Sequence, residues 1–170
     1  LVDAGYESNP LNTANNVLNN IAATAGDWGD ESSTITGTVG SVVPPEGVRM
    51  LSMTNAGGAA TQTFQAVDVS ANAAVIDGGG AVVNLSAWFN VDAPLTSASG
   101  SVGVFFLSSA NWAAHLGTLS GGVSVDSDPS TWQPGSLNGS IPVGTRWIVA
   151  QVVYTNNSLQ AADGQFYPGY

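Results

Sequence analysis

Cysteine and lysine are both absent from the 170-residue chain. The first absence removes disulfides, thiolate catalysis and zinc–thiolate sites together. The second leaves Arg49 and Arg146 alone against twelve carboxylates, a formal net charge of −10. Duplex binding needs clustered cations to displace condensed counterions, and an anionic bilayer needs a basic patch, so neither nucleic acid nor membrane is an expected partner. Charged residues of both signs make up only 8% of the chain, so solubility must rest on Asn, Ser, Thr and Gly, as it often does in secreted proteins. Hydrophobic runs are short. None approaches the roughly 20 residues that span a bilayer, and no membrane insertion is expected. With Leu1 rather than methionine first, a processed or excised chain is expected.

What the chain does contain is apolar sequence in short, punctuated runs. Hydrophobic residues are 44% of the total, enough for one core, and the length is too small for two comfortable ones, which predicts a single β-sandwich domain over 1–170. Runs of Val, Ile, Thr and aromatics recur between clusters of Gly, Asn, Ser and Pro, the spacing of a sandwich or barrel. Strands are expected near 1–7, 33–43, 47–54, 60–69, 80–92, 101–108, 117–125 and 142–155. NTANNVLNNIAATAG (12–26) has apolar residues at helical spacing but is rich in asparagine, and reads as a short helix or an ordered loop.

Alternation assigns faces on two of these strands. In AVVNLSAWFNV (81–91), Val83, Leu85, Ala87, Phe89 and Val91 share the core face, and Asn84, Ser86, Trp88 and Asn90 share the other. In TRWIVAQVVYT (145–155), Ile148, Ala150, Val152 and Tyr154 form the apolar set, while Trp147, Gln151 and Thr155 lie opposite it with Val149 and Val153. Each strand therefore sets a tryptophan among polar neighbours.

The opening LVDAGYES resembles the N-terminal motif, aromatic then Glu, of the galactose-binding-like jelly-roll sandwiches, a group that includes several carbohydrate-binding module families. PPEGVRMLSM (44–53), TQTFQAVDVS (61–70), VNLSAWFNV (83–91) and GTRWIVAQVVYT (144–155) are similar to its following strands, in the same order. The resemblance implies an all-β fold, a two-sheet antiparallel jelly-roll sandwich. It also implies a structural calcium ion (Ca2+) held by Glu7 and by backbone carbonyls near Gly47, since calcium takes six to eight oxygen ligands. Members of the group close with a strand that opens on an aromatic and acidic residues and lies beside the N-terminal strand. Here GQFYPGY (164–170) reaches only its aromatic opening, so the final edge strand is expected to be missing, with its place filled beyond Tyr170 or by a neighbouring copy. A fold that closes without that strand is the third expectation. Phe166, Tyr167 and Tyr170 are then the candidate assembly residues.

Catalysis finds little support in the residues. Asp27, Asp30 and Glu31, like Asp126 and Asp128, read as solvated acidic loops or calcium-stiffened ones, and neither group fits an EF-hand spacing. Glycoside hydrolysis needs two carboxylates roughly 5 to 10 Å apart; Asp27 and Glu31 could be arranged that way, but so could any acidic loop, and no paired acidic motif alternates along a strand. His115, the only histidine, has no G-x-S-x-G serine to serve. A sugar face stacks on an aromatic ring while planar amides take its hydroxyls. Trp88 with Asn84 and Asn90, and Trp147 with Gln151, would make such a platform if their strands are neighbours. Trp28, Trp112 and Trp132 are candidates for a rim site. The expected function is thus a non-catalytic extracellular or cell-surface module whose partner is a glycan. The alternative is a structural subunit of a surface filament or layer whose partners are copies of itself, joined by strand complementation.

Overall fold

A computed structural model describes residues 1–3, 5–7, 11, 18, 20–30, 33–53, 60–91, 98–156 and 162–168, and for Asp30, Asn156 and 162–168 the backbone alone. Among them are ten strands: β1 (Trp28–Asp30), β2 (Ser33–Thr36), β3 (Met50–Met53), β4 (Ala60–Asp68), β5 (Val82–Val91), β6 (Ala98–Leu107), β7 (His115–Val125), β8 (Gln133–Ser140), β9 (Trp147–Asn156) and β10 (Ala162–Pro168). One short helix, α1 (Ala73–Asp77), sits between β4 and β5. The strands form two five-stranded antiparallel sheets, ordered β1-β4-β9-β6-β7 and β2-β3-β10-β5-β8, a jelly-roll sandwich.

The core lies where the alternation predicts. Leu85, Ala87, Phe89 and Val91 of β5 meet Val102, Val104 and Phe106 of β6 and Ile148, Ala150, Val152 and Tyr154 of β9 across the sandwich, all buried. A second cluster sits on the outer side of the first sheet, because Val149 alternates with the core residues of β9 and pairs with Ala66 of β4 and Phe105 of β6. There Ile21 packs with Phe64, Ala66, Leu107 and Val149, and Trp147, Phe105 and Leu18 close over them.

Several expected boundaries differ. Residues 1–7 alternate like a strand, but the described ones among them turn instead of pairing. Asp3 and Tyr6 have φ of 46° and 57°, the Asp3 carboxylate accepts from the Glu7 N–H at 2.8 Å, and Tyr6 is buried against Trp28 at 5.2 Å. Burial, aided by the Asp3 charge, lifts the Tyr6 phenol well above its ordinary pKa and keeps it neutral. What replaces strand pairing here is one buried amide: Gln65 Oε1 accepts from Val2 N at 2.8 Å, and its Nε2 donates to Val2 O (2.8 Å) and Gly26 O (3.0 Å). The run at 33–43 stops as a strand at Thr36, with an isolated Val39–Val42 bridge beyond it. Residues 20–26 are turns apart from a bridge at Ala25, and most of 12–19 lies outside the described residues.

The larger correction concerns the closing strand. Residues 162–168 form β10 in the third lane of five, paired with β5 from Ala162↔Val91 to Pro168↔Leu85 and with β3 from Ala162↔Met53 to Gly164↔Leu51. The lane expected to stand empty is filled by the chain's own backbone, as the cost of leaving buried ladder groups unpaired requires. Phe166 and Tyr167 take the register positions opposite Ala87 and Ser86, within a sheet. Tyr170 lies outside the described residues.

The flanks of the sandwich are narrow. β1 and β2, edge strands of the two sheets, are three and four residues long. On the other flank β7 and β8 close on each other. A Cβ built at Gly121 would lie 1.9 Å from the Ser136 carbonyl oxygen, so only glycine permits that approach.

Candidate functional site

β5 presents Asn84, Ser86 and Trp88 on the outer side of the second sheet. β8 runs antiparallel beside it, with Trp88 opposite Pro134. That register brings Trp132, which immediately precedes β8, up to Trp88. The two half-buried indoles line one depression of about 440 Å³ with Pro45 and Glu46. Neither strand sequence alone signals this pairing, because Trp132 belongs to a loop.

The loop that carries Trp132 is held from three directions. The indole N–H of Trp132 donates to Val43 O at 3.1 Å. Asp126 accepts through Oδ1 from Asp128 N (2.9 Å) and through both oxygens from Thr131 Oγ1 (3.0 Å each), and its Oδ2 also accepts from Gln133 Nε2 at 2.6 Å. Asp128 accepts from Ser130 N and Oγ at 2.9 and 2.7 Å, and the Ser130 side-chain and backbone bonds hold its pKa below the ordinary value. Asn90 supplies the third restraint from below: its Nδ2 donates to Pro129 O at 2.9 Å and its Oδ1 accepts from Val91 N at 2.6 Å. The acidic pair Asp126 and Asp128 thus acts as a wired turn.

This geometry revises the expected platform. Asn90 is fully buried and both ends of its amide are used within the protein, so it positions the loop and does not meet a ligand. Asn84 is exposed and bonded to Asn138 across the β5–β8 pair. Trp147 and Gln151 are on β9, in the other sheet, so they do not join Trp88. β5 pairs with β8 and β10, whereas β9 pairs with β4 and β6. Trp147 covers the outer cluster, and Gln151 donates to Gln62 Oε1 at 2.7 Å. Of the proposed rim residues, Trp28 is in the core with its indole N–H on the Val2 and Asp3 carbonyls. Trp112 lies against Phe105 of β6, on the outer side of the first sheet, with the two rings tilted at 58°.

Glu7 and Gly47 do meet. Glu7 Oε1 accepts from the backbone N–H groups of Val48 (3.0 Å) and Arg49 (3.2 Å), and Gly47 has φ +63° with no room for a Cβ beside that oxygen. N–H donors point positive charge at Oε1, which leaves Oε2 as the carboxylate oxygen a cation could take. Among the described residues no group of three or more acidic or histidine side chains converges on a metal-sized space. Asp27 is half-buried, and Glu31 lies outside the described residues. His115 Nε2 lies 2.8 Å from Thr118 Oγ1, in a surface cluster with Trp112 and Phe105. Among the described residues no helix is long and apolar enough to cross a membrane.

The fold is that of carbohydrate-binding modules. A family 61 module solved in complex with β-1,4-galactotriose matches 96% of this chain and all of its own length, with TM-score 0.55 and 12% identity. A xylan-binding domain of family 22 matches 96% of this chain and 93% of its own length, with TM-score 0.54 and 13% identity. A two-module Clostridium thermocellum xylanase structure, family 22 module and catalytic module complexed with xylohexaose, matches over 79% of this chain, with TM-score 0.53 and 14% identity. The chain spans 23% of that structure. No protein-family model matches the sequence, and no curated protein does.

Proposed function

We propose that the chain is a non-catalytic glycan-binding module of an extracellular or cell-surface protein, with its site in the Trp88–Trp132 depression. The observation that carries this reading is the meeting of two tryptophans from different elements over one depression whose volume suits a few sugar rings. An indole offers its face to the C–H side of a pyranose, and Glu46 offers an acceptor to hydroxyls. Pre-wiring of the Trp132 loop lowers the entropy lost on binding. Among the described residues Glu46 is the one carboxylate of the lining, whereas glycoside hydrolysis needs a pair. The fold shared with a module solved in complex with β-1,4-galactotriose and with a xylan-binding domain supports the same class of ligand.

Glycan-array screening followed by calorimetry tests the proposal. Trp88→Ala and Trp132→Ala should each weaken binding about 30-fold, the effect of losing a ~2 kcal/mol hot spot, in variants shown by calorimetry to be folded at the assay temperature. Full affinity in both variants would remove the site from consideration.

A structural calcium at Glu7 is the companion proposal. It is supported by the meeting of Glu7 with the Gly47 turn and by the acidic charge, and opposed by the two donors on Oε1. Binding to the native state alone would raise the melting temperature by mass action. A scan that is identical with calcium and with EDTA would dismiss it. The filament alternative keeps the support of sparse charge and small polar residues, while β10 occupies the lane it expected a neighbouring copy to fill, and a monomer by light scattering at micromolar concentration would end it.

A further inference from the structure

We infer that the protein carries a second sugar-contacting surface, centred on Trp112 and set on the sheet opposite the Trp88–Trp132 depression. β6 leaves its ladder with a register shift between Phe106 and Leu107, and the chain then turns out into a loop. Asn111 caps the short 3-10 turn Trp112–Ala114, its Oδ1 accepting from Ala113 N at 2.9 Å, and this holds Trp112 outward with 36% of its surface exposed. The indole does not swing freely: Phe105 backs it at 4.8 Å and 58°, and His115 flanks it at 6.2 Å and 30°. Phe105 itself packs on the outer cluster of the first sheet, so the ring is anchored to the scaffold.

Trp112 is one wall of a groove of about 380 Å³ whose other wall is the turn at Asn20–Ala22. That wall is also fixed, by Ile21 buried in the outer cluster and by Thr24, whose N–H and Oγ1 both bond to Asn20 O at 3.1 and 2.8 Å. Among the described residues the lining holds an aromatic ring and the exposed amides of Asn20 and Asn111, with no charged side chain. One rigid ring beside two planar amides suits a neutral pyranose, by stacking on one face and by hydrogen bonds to its hydroxyls, and suits neither an ion nor a basic peptide. Because Phe105 faces outward from the first sheet and Trp88 from the second, the two surfaces look in opposite directions. One module would hold two glycan segments at once and gain from their high local concentration.

The test is 19F NMR on protein labelled with 5-fluorotryptophan, each resonance assigned by a Trp→Phe variant, during titration with xylohexaose and with β-1,4-galactotriose. The Trp112 signal should move along its own isotherm, at a midpoint different from that of Trp88 and Trp132. Asn20→Ala should shift that midpoint about tenfold and leave the other one where it was. A Trp112 signal that stays still while Trp88 and Trp132 respond overturns this inference and spares the first site. A Trp112 shift that vanishes in Trp88→Ala overturns it as well, since it then reports the first site at a distance. If no tryptophan responds to either sugar, both sites fall together.

Discussion

Replacing Gln65 with leucine keeps the buried volume nearly constant and deletes only the polar end of the side chain. In the native protein that end makes three bonds, from Val2 N and to the carbonyls of Val2 and Gly26. At about 1 kcal/mol net for each, the direct loss is ~3 kcal/mol. Two circumstances adjust it in opposite directions. Val2 O keeps the Trp28 indole N–H, and Val2 is half exposed, so part of the orphaned backbone regains water. Against this, freeing residues 1–3 loosens the turn that buries Tyr6 against Trp28, and a large apolar side chain is worth ~1.5–3 kcal/mol when fully buried. The expected destabilisation is therefore ~2–4 kcal/mol, which for a domain of this size lowers Tm by roughly 5–15 °C. Scanning calorimetry measures the shift, and hydrogen exchange at Val2, Glu7 and Gly26 should accelerate more than exchange in β6 and β9. A loss under about 0.5 kcal/mol, or uniform acceleration across the molecule, would show that the amide is not what ties down the N-terminal segment.

Two further outcomes are expected. Asn90→Ala removes the strut beneath Pro129 and leaves the buried Val91 N–H unsatisfied, at a cost of ~2–3 kcal/mol. It should also weaken glycan binding through Trp132 although Asn90 touches no ligand, and equal affinity by calorimetry would contradict the positioning role. As to pH, Asp77 is held below its ordinary pKa first by the Arg146 guanidinium, at 2.7 Å, and then by Gly144 N–H; Asp68 is likewise held below its own by Ser70. With folded values depressed, their stabilisation is complete above about pH 4 and is lost as pH falls through the folded values. Thermal melts across the acid range should record a falling Tm, and Asp77→Asn should flatten that fall. A variant profile parallel to the native one would refute the link.

Much of the architecture could be read in the residues, and the failures have identifiable causes. The faces of β5 follow from its alternation of apolar and polar side chains, and the inner face of β9 from its set Ile148, Ala150, Val152 and Tyr154, although the outer face of β9 is covered too, with Val149 buried there. β8 escapes notice because QPGSLNGS is written in turn residues. It survives as a strand at a sheet edge, where a proline is tolerated and where Leu137 is its only large buried anchor. The opening segment shows the reverse, a strand-like pattern bent at the positive φ angles of Asp3 and Tyr6 and held by the Asp3 carboxylate on Glu7 N–H together with long-range contacts to Trp28 and Gln65. The proposed platform is half legible. Trp88 among polar neighbours was recognisable, but its companion was not, because alternation along a strand says which way a ring points and nothing about which strand lies next to it. The resemblance of LVDAGYES and PPEGVRMLSM to paired motifs did carry that kind of long-range information, and Glu7 and Gly47 are in contact.

The glycine approach between β7 and β8 bears on how such a module behaves when crowded. A foreign strand needs about 4.8 Å of lateral clearance from each neighbour to be recruited, and the Ser136 carbonyl already stands where a methyl on residue 121 would be. That seam is too tight to be pried open by an incoming peptide. Tandem copies on one polypeptide could thus be displayed densely on a surface without knitting together along this side.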